Sequence, residues 1–151
     1  MDNEFLNAAK VLWKNDKGEP YYTLCDYTPI LESFGKIVSR WDQDDYQGDS
    51  VVFLENKGSL GLLIFGWGSC SGCDALQSCS SVEELGRLLD GLSNSIKWFD
   101  NSQDAILYFK QKDWEGTHLW NQEGFQEYLK EAEKFLLSYQ FNKTLDKIIE
   151  D

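Results

Sequence analysis

The sequence is poor in basic residues and has no long apolar run. Lysine and arginine number 14 against 26 aspartate and glutamate residues, which gives a formal net charge of −12. Phosphate contacts need a basic surface, so this balance argues against direct binding to nucleic acid. No stretch approaches the roughly 18–20 apolar residues that cross a bilayer, so we expect no membrane span.

Proline and histidine are also scarce, and their positions limit the chemistry. The two prolines, Pro20 and Pro29, both precede Cys70 and Cys73. No cis-proline can therefore face this CxxC pair from a later strand, as a thioredoxin site would require. His118 is the only histidine, so a Ser–His or Cys–His catalytic pair would have to use it. No supporting motif surrounds His118, and the sequence contains no recognisable catalytic constellation.

Length and composition indicate one folded domain, 1–151. The chain has 151 residues, of which 42% are hydrophobic and 15% aromatic, enough for a well-filled core. The N-terminal segment MDNEFLNAAK lacks the basic and apolar regions of a signal peptide, so we expect a cytoplasmic protein. In that compartment the four cysteines are expected as free thiols, metal ligands or a redox pair, and structural disulfides are not expected.

Apolar periodicity predicts an α+β fold with an antiparallel sheet of about four strands. Strands are expected at 36–41, 50–55, 60–67 and 96–99, and Asn56-Lys57-Gly58 is a hairpin turn signal. Short turns between neighbouring strands predict a meander. The third strand is apolar at almost every position, so it is expected to be central and covered on both faces.

Helices are predicted at both ends of the chain and between the strands. The first begins after Asp2 or Asn3 and the last near Gln122. A short helix is expected to begin at Thr28-Pro29, because proline is favoured in the first turn. Two longer helices are expected after the sheet begins. One follows a capping box at residues 81–84, and another is capped by Asp100 or Asn101.

The segment LGLLIFGWGSCSGCDALQSC, residues 60–79, is the most unusual stretch of the chain. It holds three of the four cysteines and predicts a buried strand followed by a tight loop. We expect Gly66 and Gly68 to adopt conformations that residues with a β-carbon resist. Backbone N–H groups of such a loop can hold a small anionic, nucleotide-like ligand, with an indole as stacking platform. The candidate ligand-binding residues are Trp67, Gly68, Ser69, Ser71, Gly72 and Asp74.

The cysteines permit three interpretations. A zinc site would use Cys70, Cys73 and Cys79, with Cys25 or His118 as the fourth ligand. A thiol redox role would use Cys70 and Cys73. Alternatively, the cysteines only fill a tight loop and its packing surface, since free cysteine is commonly buried.

Acidic residues form two groups that could capture a basic surface of another protein. The first group follows the first strand and consists of Asp42, Asp44, Asp45 and Asp49. An EF-hand is excluded there, because the twelfth position counted from Asp42 is Phe53. The second group, on the last helix, consists of Glu123, Glu127, Glu131 and Glu133. The alternative is that the charge only keeps the protein in solution.

A resemblance adds context to these interpretations. YQGDSVVFLENKGSLGLLIFGWGSCSGCDALQSC, residues 46–79, is followed by IKWF at 96–99 and DWE at 113–115. Together these segments resemble small phage and bacterial proteins with the pattern Y-Q-G-D, then G-[WY]-G-S-C-S-G-C-D-x-L, then W-F before a helix. No activity is assigned to that group. The resemblance implies an accessory protein of a mobile element, which would act in the host cytoplasm against targets such as defence factors.

Overall fold

The computed structural model describes residues 3–13, 26–69 and 74–150, with side chains for residues 4–139 in those ranges. It has five helices and four strands in the described part, and it confirms the α+β fold with a helix near each end. In chain order the elements are α1 (Asn3–Leu12), α2 (Thr28–Phe34), β1 (Lys36–Asp42), β2 (Gly48–Asn56), β3 (Ser59–Trp67), α3 (Val82–Ser95), β4 (Lys97–Phe99), α4 (Ser102–Gln111) and α5 (Phe125–Glu150).

The four strands form an antiparallel meander in the order β1-β2-β3-β4. The β2–β3 hairpin has Asn56 opposite Ser59, so its turn consists of two residues. Both turn residues have positive φ, 52° at Lys57 and 82° at Gly58. Such a turn matches the right-handed twist of the flanking strands, and it confirms the predicted turn.

The connection between β1 and β2 is shorter than the sequence predicts. Asp42 is the last residue of β1, while Gly48 and Asp49 begin β2. Asp42 also pairs with Ser50 in the sheet. The predicted acidic loop 42–49 is thus reduced to residues 43–47, because strand pairing continues past the apolar residues that marked the strands in the sequence.

Each face of the sheet carries its own apolar layer. Successive residues of a strand point to opposite faces, so Val52 and Leu63 pack toward α1, α2 and α3. Phe53 and Leu62 pack toward α4 and α5. The prediction that the third strand is covered on both faces is confirmed.

The helix starts follow local sequence signals, with two differences. Ser81 caps α3 by accepting a bond from the Glu84 N–H at 3.2 Å. Glu84, however, accepts from the Ser80 N–H at 2.7 Å, one residue earlier than a regular capping box requires. Asn101 caps α4, as one of the two predicted alternatives. The last helix begins at Phe125, because the preceding residues form turns.

Candidate binding site at the hairpin end of the sheet

The sheet register brings the two predicted site segments together. Gly48 lies opposite Trp67, and Asp49 lies opposite Gly66. The acidic connection between β1 and β2 and the start of the cysteine-bearing loop therefore lie at the same end of the sheet. We call residues 42–49 and 66–69 the hairpin end, after the β1–β2 connection; it lies opposite the Lys57-Gly58 turn of the β2–β3 hairpin.

A chain of polar contacts crosses the face of the hairpin end that is turned toward α2. The Asp42 carboxylate accepts bonds from Arg40 Nε at 2.9 Å and from Ser50 Oγ. Trp67 Nε1 donates to Ser50 Oγ at 2.9 Å, and Arg40 Nη1 donates to Thr28 Oγ1 at 2.9 Å. Ser50 is fully buried. The network therefore fixes the Trp67 indole, the Asp42 carboxylate and the Arg40 guanidinium relative to one another.

A cavity of about 220 Å³ opens beside this network. This volume is smaller than the roughly 300–1,000 Å³ of sites for drug-sized ligands. Among the described residues, its wall has the two carboxylates of Asp26 and Asp42 and the guanidinium of Arg40. The lining residues are Asp26, Tyr27, Arg40, Asp42, Gln43, Trp67 and Gly68.

Asp74 lies beneath the loop and is only 3% exposed. Its Oδ1 accepts bonds from Tyr27 Oη at 2.8 Å and from Gly68 N at 3.1 Å, and its Oδ2 accepts from Gln77 N at 3.0 Å. Burial, followed by the bond to Asp74, raises the pKa of the Tyr27 phenol well above its ordinary value. Tyr27 therefore stays protonated and donates a hydrogen bond to Asp74. Asp74 ties the two ends of the loop to one buried point.

These contacts bear on the prediction that backbone N–H groups of the loop hold a small anionic ligand. The Gly68 N–H, one of the expected donors to a ligand, already donates to the Asp74 carboxylate. Ser69 is exposed, whereas Ser71 and Gly72 lie outside the described residues. Gly66 is a regular β3 residue, and a β-carbon there would lie 3.4 Å from Asp49 Oδ1, an ordinary contact. The expectation that Gly66 needs a special conformation is wrong.

Of the four cysteines predicted as zinc ligands, only Cys79 lies within the described residues. The alternative fourth ligand, His118, is described and pairs with Asp49 at 2.8 Å. The buried Cys79 thiol donates to the Ala75 carbonyl at 3.3 Å and belongs to the apolar layer under α3. Burial, followed by the charges of Glu84 and Asp74, raises the pKa of this thiol and disfavours the thiolate that zinc binds. Among the residues described, no group of three potential ligands could hold a metal. Because Cys25, Cys70 and Cys73 lie outside them, the zinc and redox interpretations stay predictions.

The carboxylates of the first acidic group have different surroundings. Asp44 and Asp45 are exposed, and Asp45 accepts a bond from the Tyr46 N–H at 2.7 Å. Asp49 is paired with His118 at 2.8 Å, so the only histidine joins the turns before α5 to β2. Tyr46 follows the exposed Asp44 and Asp45 in the chain and is itself 83% exposed. A tyrosine side chain combines an apolar ring with a polar hydroxyl and is enriched at interfaces, so the exposed Tyr46 is available for contact with a partner.

The second acidic group is not a single row on a helix. Glu123 precedes α5, so it does not lie on the last helix with Glu127 and Glu131 as the sequence predicted. Glu133 forms an ion pair with Lys110 of α4 at 3.3 Å. These differences leave Glu127 and Glu131 as the exposed carboxylates of the group within α5.

Sequence reasoning missed several residues of the site. Arg40 was missed, although it lies two residues before the predicted Asp42, a spacing that in a strand places both on one face and would have indicated their contact. Asp26 and Tyr27 carry no comparable signal, because they reach the hairpin end only through the packing of α2 on the sheet. Tyr46 was passed over as part of a loop.

Known proteins offer no counterpart to this chain. Among the described helices, none combines the length and apolar character needed to cross a bilayer. No protein-family model, curated protein or solved structure matches the chain.

Proposed function

We propose that this chain is a non-enzymatic binding protein that captures a basic protein surface through the hairpin end. The main support is that Tyr46 is exposed next to Asp44 and Asp45. These residues lie at the end of the sheet that also holds the open cavity. Tyrosine is enriched among the residues that dominate binding energy at interfaces. An acidic rim around it favours a basic partner and speeds the encounter.

The resemblance to small phage and bacterial proteins supports a host macromolecule as the partner. In this proposal the chain is an accessory protein of a mobile element, and its partner is a host protein such as a defence factor. The net charge of −12 supports a protein partner over nucleic acid, since phosphates would be repelled.

The alternative proposal, a small anionic ligand held by residues 66–74, has less support. Asp26 and Asp42 line the adjacent cavity, and both would repel an anion. The Gly68 N–H is already bonded to Asp74. A nucleotide-like ligand would also exceed the size of the cavity.

A charge-reversal pair tests the proposal with a lysine- and arginine-rich peptide as probe. The double variant Asp44→Lys/Asp45→Lys should weaken binding about tenfold or more at low salt, as seen for close charge pairs across interfaces. The control variant Glu32→Lys/Asp100→Lys changes the net charge equally at exposed positions elsewhere. It should retain most of the affinity. Asp42 is left unchanged, because its reversal would also disrupt the bonds to Arg40 and Ser50.

Fluorescence anisotropy of the labelled peptide gives the dissociation constant at each salt concentration. Wild-type binding should weaken toward 0.5 M salt, where the screening length falls to roughly 4 Å. Tyr46→Ser should weaken binding at every salt concentration, because its contribution is apolar. Equal losses in the two charge-reversed variants, or salt-independent binding, would refute the hairpin end as the binding surface.

A further inference from the structure

We propose that the cavity at the hairpin end receives the guanidinium group of an arginine side chain. The inference rests on the proposed capture of a basic surface and identifies one group on that surface. The cavity volume of about 220 Å³ suits a single long side chain better than a complete small-molecule ligand. Gln43 lines the cavity and belongs to the same β1–β2 connection as Tyr46, Asp44 and Asp45, so one partner could contact both places.

The charges in the cavity wall select a cation. Asp26 accepts a bond from the Thr28 N–H through Oδ1, and Asp42 uses Oδ1 for both of its internal bonds. In the described part of the chain, each carboxylate therefore keeps its second oxygen as an acceptor. Among the described residues that line the wall, Arg40 is the only cation, and it already donates to Asp42 and Thr28. Arg40 offsets the charge of Asp42, so the described lining keeps the negative charge of Asp26, which disfavours an anion and favours a cation.

The Trp67 ring supplies the contact that distinguishes guanidinium from ammonium. Its Nε1 donates to the buried Ser50 Oγ, which fixes the ring while the ring lines the cavity. A guanidinium group is planar, so it can stack on an indole face and also donate two parallel bonds to a carboxylate. An ammonium group has no plane to stack and acts as a point charge. The combination of an indole with nearby carboxylates thus favours arginine over lysine.

The experiment titrates the intact protein with N-acetyl-arginine amide and follows the Trp67 indole N–H by NMR. The corresponding lysine and glutamate amides are titrated separately, to compare an ammonium and a carboxylate with the guanidinium group. Arginine amide should shift the Trp67 signal saturably in the millimolar range. The lysine analogue should bind about fivefold more weakly or worse, and the glutamate analogue should produce no shift. The Nε–H signal of Arg40 is a second reporter in the wild type, independent of any variant.

Asp26→Asn removes the charge while its amide oxygen can still accept from the Thr28 N–H. This variant should lower the affinity for arginine amide about fivefold, whereas Asp100→Asn, a neutralisation elsewhere on the surface, should not. Equal responses to the three amides, no response of either reporter, or unchanged affinity in Asp26→Asn would each overturn the inference.

The two proposals fail separately. If the peptide depends on Asp44 and Asp45 but neither cavity reporter responds to arginine amide, the hairpin end captures a basic surface without an arginine in the cavity. If arginine amide binds but the peptide affinity is unchanged in Asp44→Lys/Asp45→Lys, the cavity is a guanidinium site and the proposed capture surface is wrong.

Discussion

Tyr27 and Asp74 lie 47 residues apart in the sequence and share a buried hydrogen bond of 2.8 Å. The same phenol oxygen accepts a bond from Leu76 N at 3.1 Å. Asp74 also accepts from the Gly68 and Gln77 amides. One buried pair thus joins the start of α2 to both ends of the cysteine-bearing loop.

Removing the Asp74 carboxylate should be costly. Asp74→Ala leaves the Tyr27 hydroxyl and two backbone amides without their acceptor, so we expect the free energy of unfolding to fall by about 2–4 kcal/mol. Tyr27→Phe should cost about 1–2 kcal/mol, and the double variant should lose less than the sum. Urea denaturation measures all three. The exposed control Asp44→Ala should stay within about 0.5 kcal/mol of the wild type; an equally mild effect of Asp74→Ala would contradict the anchoring role.

Two glycines of β3 provide a matched pair. A β-carbon at Gly61 would lie 2.7 Å from Trp98 Cε3 and 2.8 Å from Ile96 Cγ2. Gly61→Ala should therefore destabilise the fold by about 1–3 kcal/mol, through displacement of the Trp98 ring. Gly66→Ala meets only ordinary contacts and should be close to neutral. Thermal melting of the two variants measures the difference. Identical melting midpoints would show that the Trp98 ring moves aside at no cost in stability.

The thiol of Cys79 should resist alkylation. Burial, with the neighbouring Glu84 and Asp74 charges, raises its pKa above the ordinary value of 9.0. The neutral thiol is therefore favoured in the fold. Its contribution to stability is complete below pH 9 and is lost as pH rises through the folded-state pKa. Peptide mapping after iodoacetamide treatment should show slow labelling of Cys79 at pH 8, with or without chelator, and rapid labelling in urea. Rapid native labelling, or labelling that a chelator accelerates, would contradict burial as the cause.

Glu84 should give the fold a specific sensitivity to acid. Bonds from the Ser80 N–H and hydroxyl lower its pKa below the ordinary value of 4.5. Its stabilising contribution is present above that value and is lost as pH falls through the lower, folded-state pKa. Unfolding free energies measured from pH 6 to 3 should decline less steeply in Glu84→Gln than in the wild type. The exposed neighbour serves as control: Glu83→Gln should follow the wild-type slope, and identical slopes for all three would refute the assignment.

The sequence predicted those features that depend on neighbouring residues. The turn at Lys57-Gly58 and the cap at Ser81 follow from local conformational preferences, and both lie where expected. The strand ends at Asp42 and Gly48 were missed, because the residues there continue the pairing that the apolar middle of the hairpin sets.

The candidate site was predicted only in part, for the same physical reason. Trp67 and Gly68 line the cavity as part of a recognisable loop. Asp26 lines it because α2 packs on the sheet, and no pattern of neighbouring residues reports such a long-range contact. The hydrogen bonds that occupy Asp74 were equally hidden, since their partners include a tyrosine from a distant segment.

The two apolar layers have an evolutionary consequence, because the sheet backbone stands between them. Leu89 lies in one layer and Leu136 in the other, and both are fully buried. A void opened at one cannot be filled by side chains of the other, so losses at these positions should be independent. Substitutions can therefore accumulate beneath α4 and α5 while the geometry around Trp67 and Arg40 is preserved. A lineage under pressure to alter its surface could remodel the α5 side and keep the arrangement of the proposed binding site.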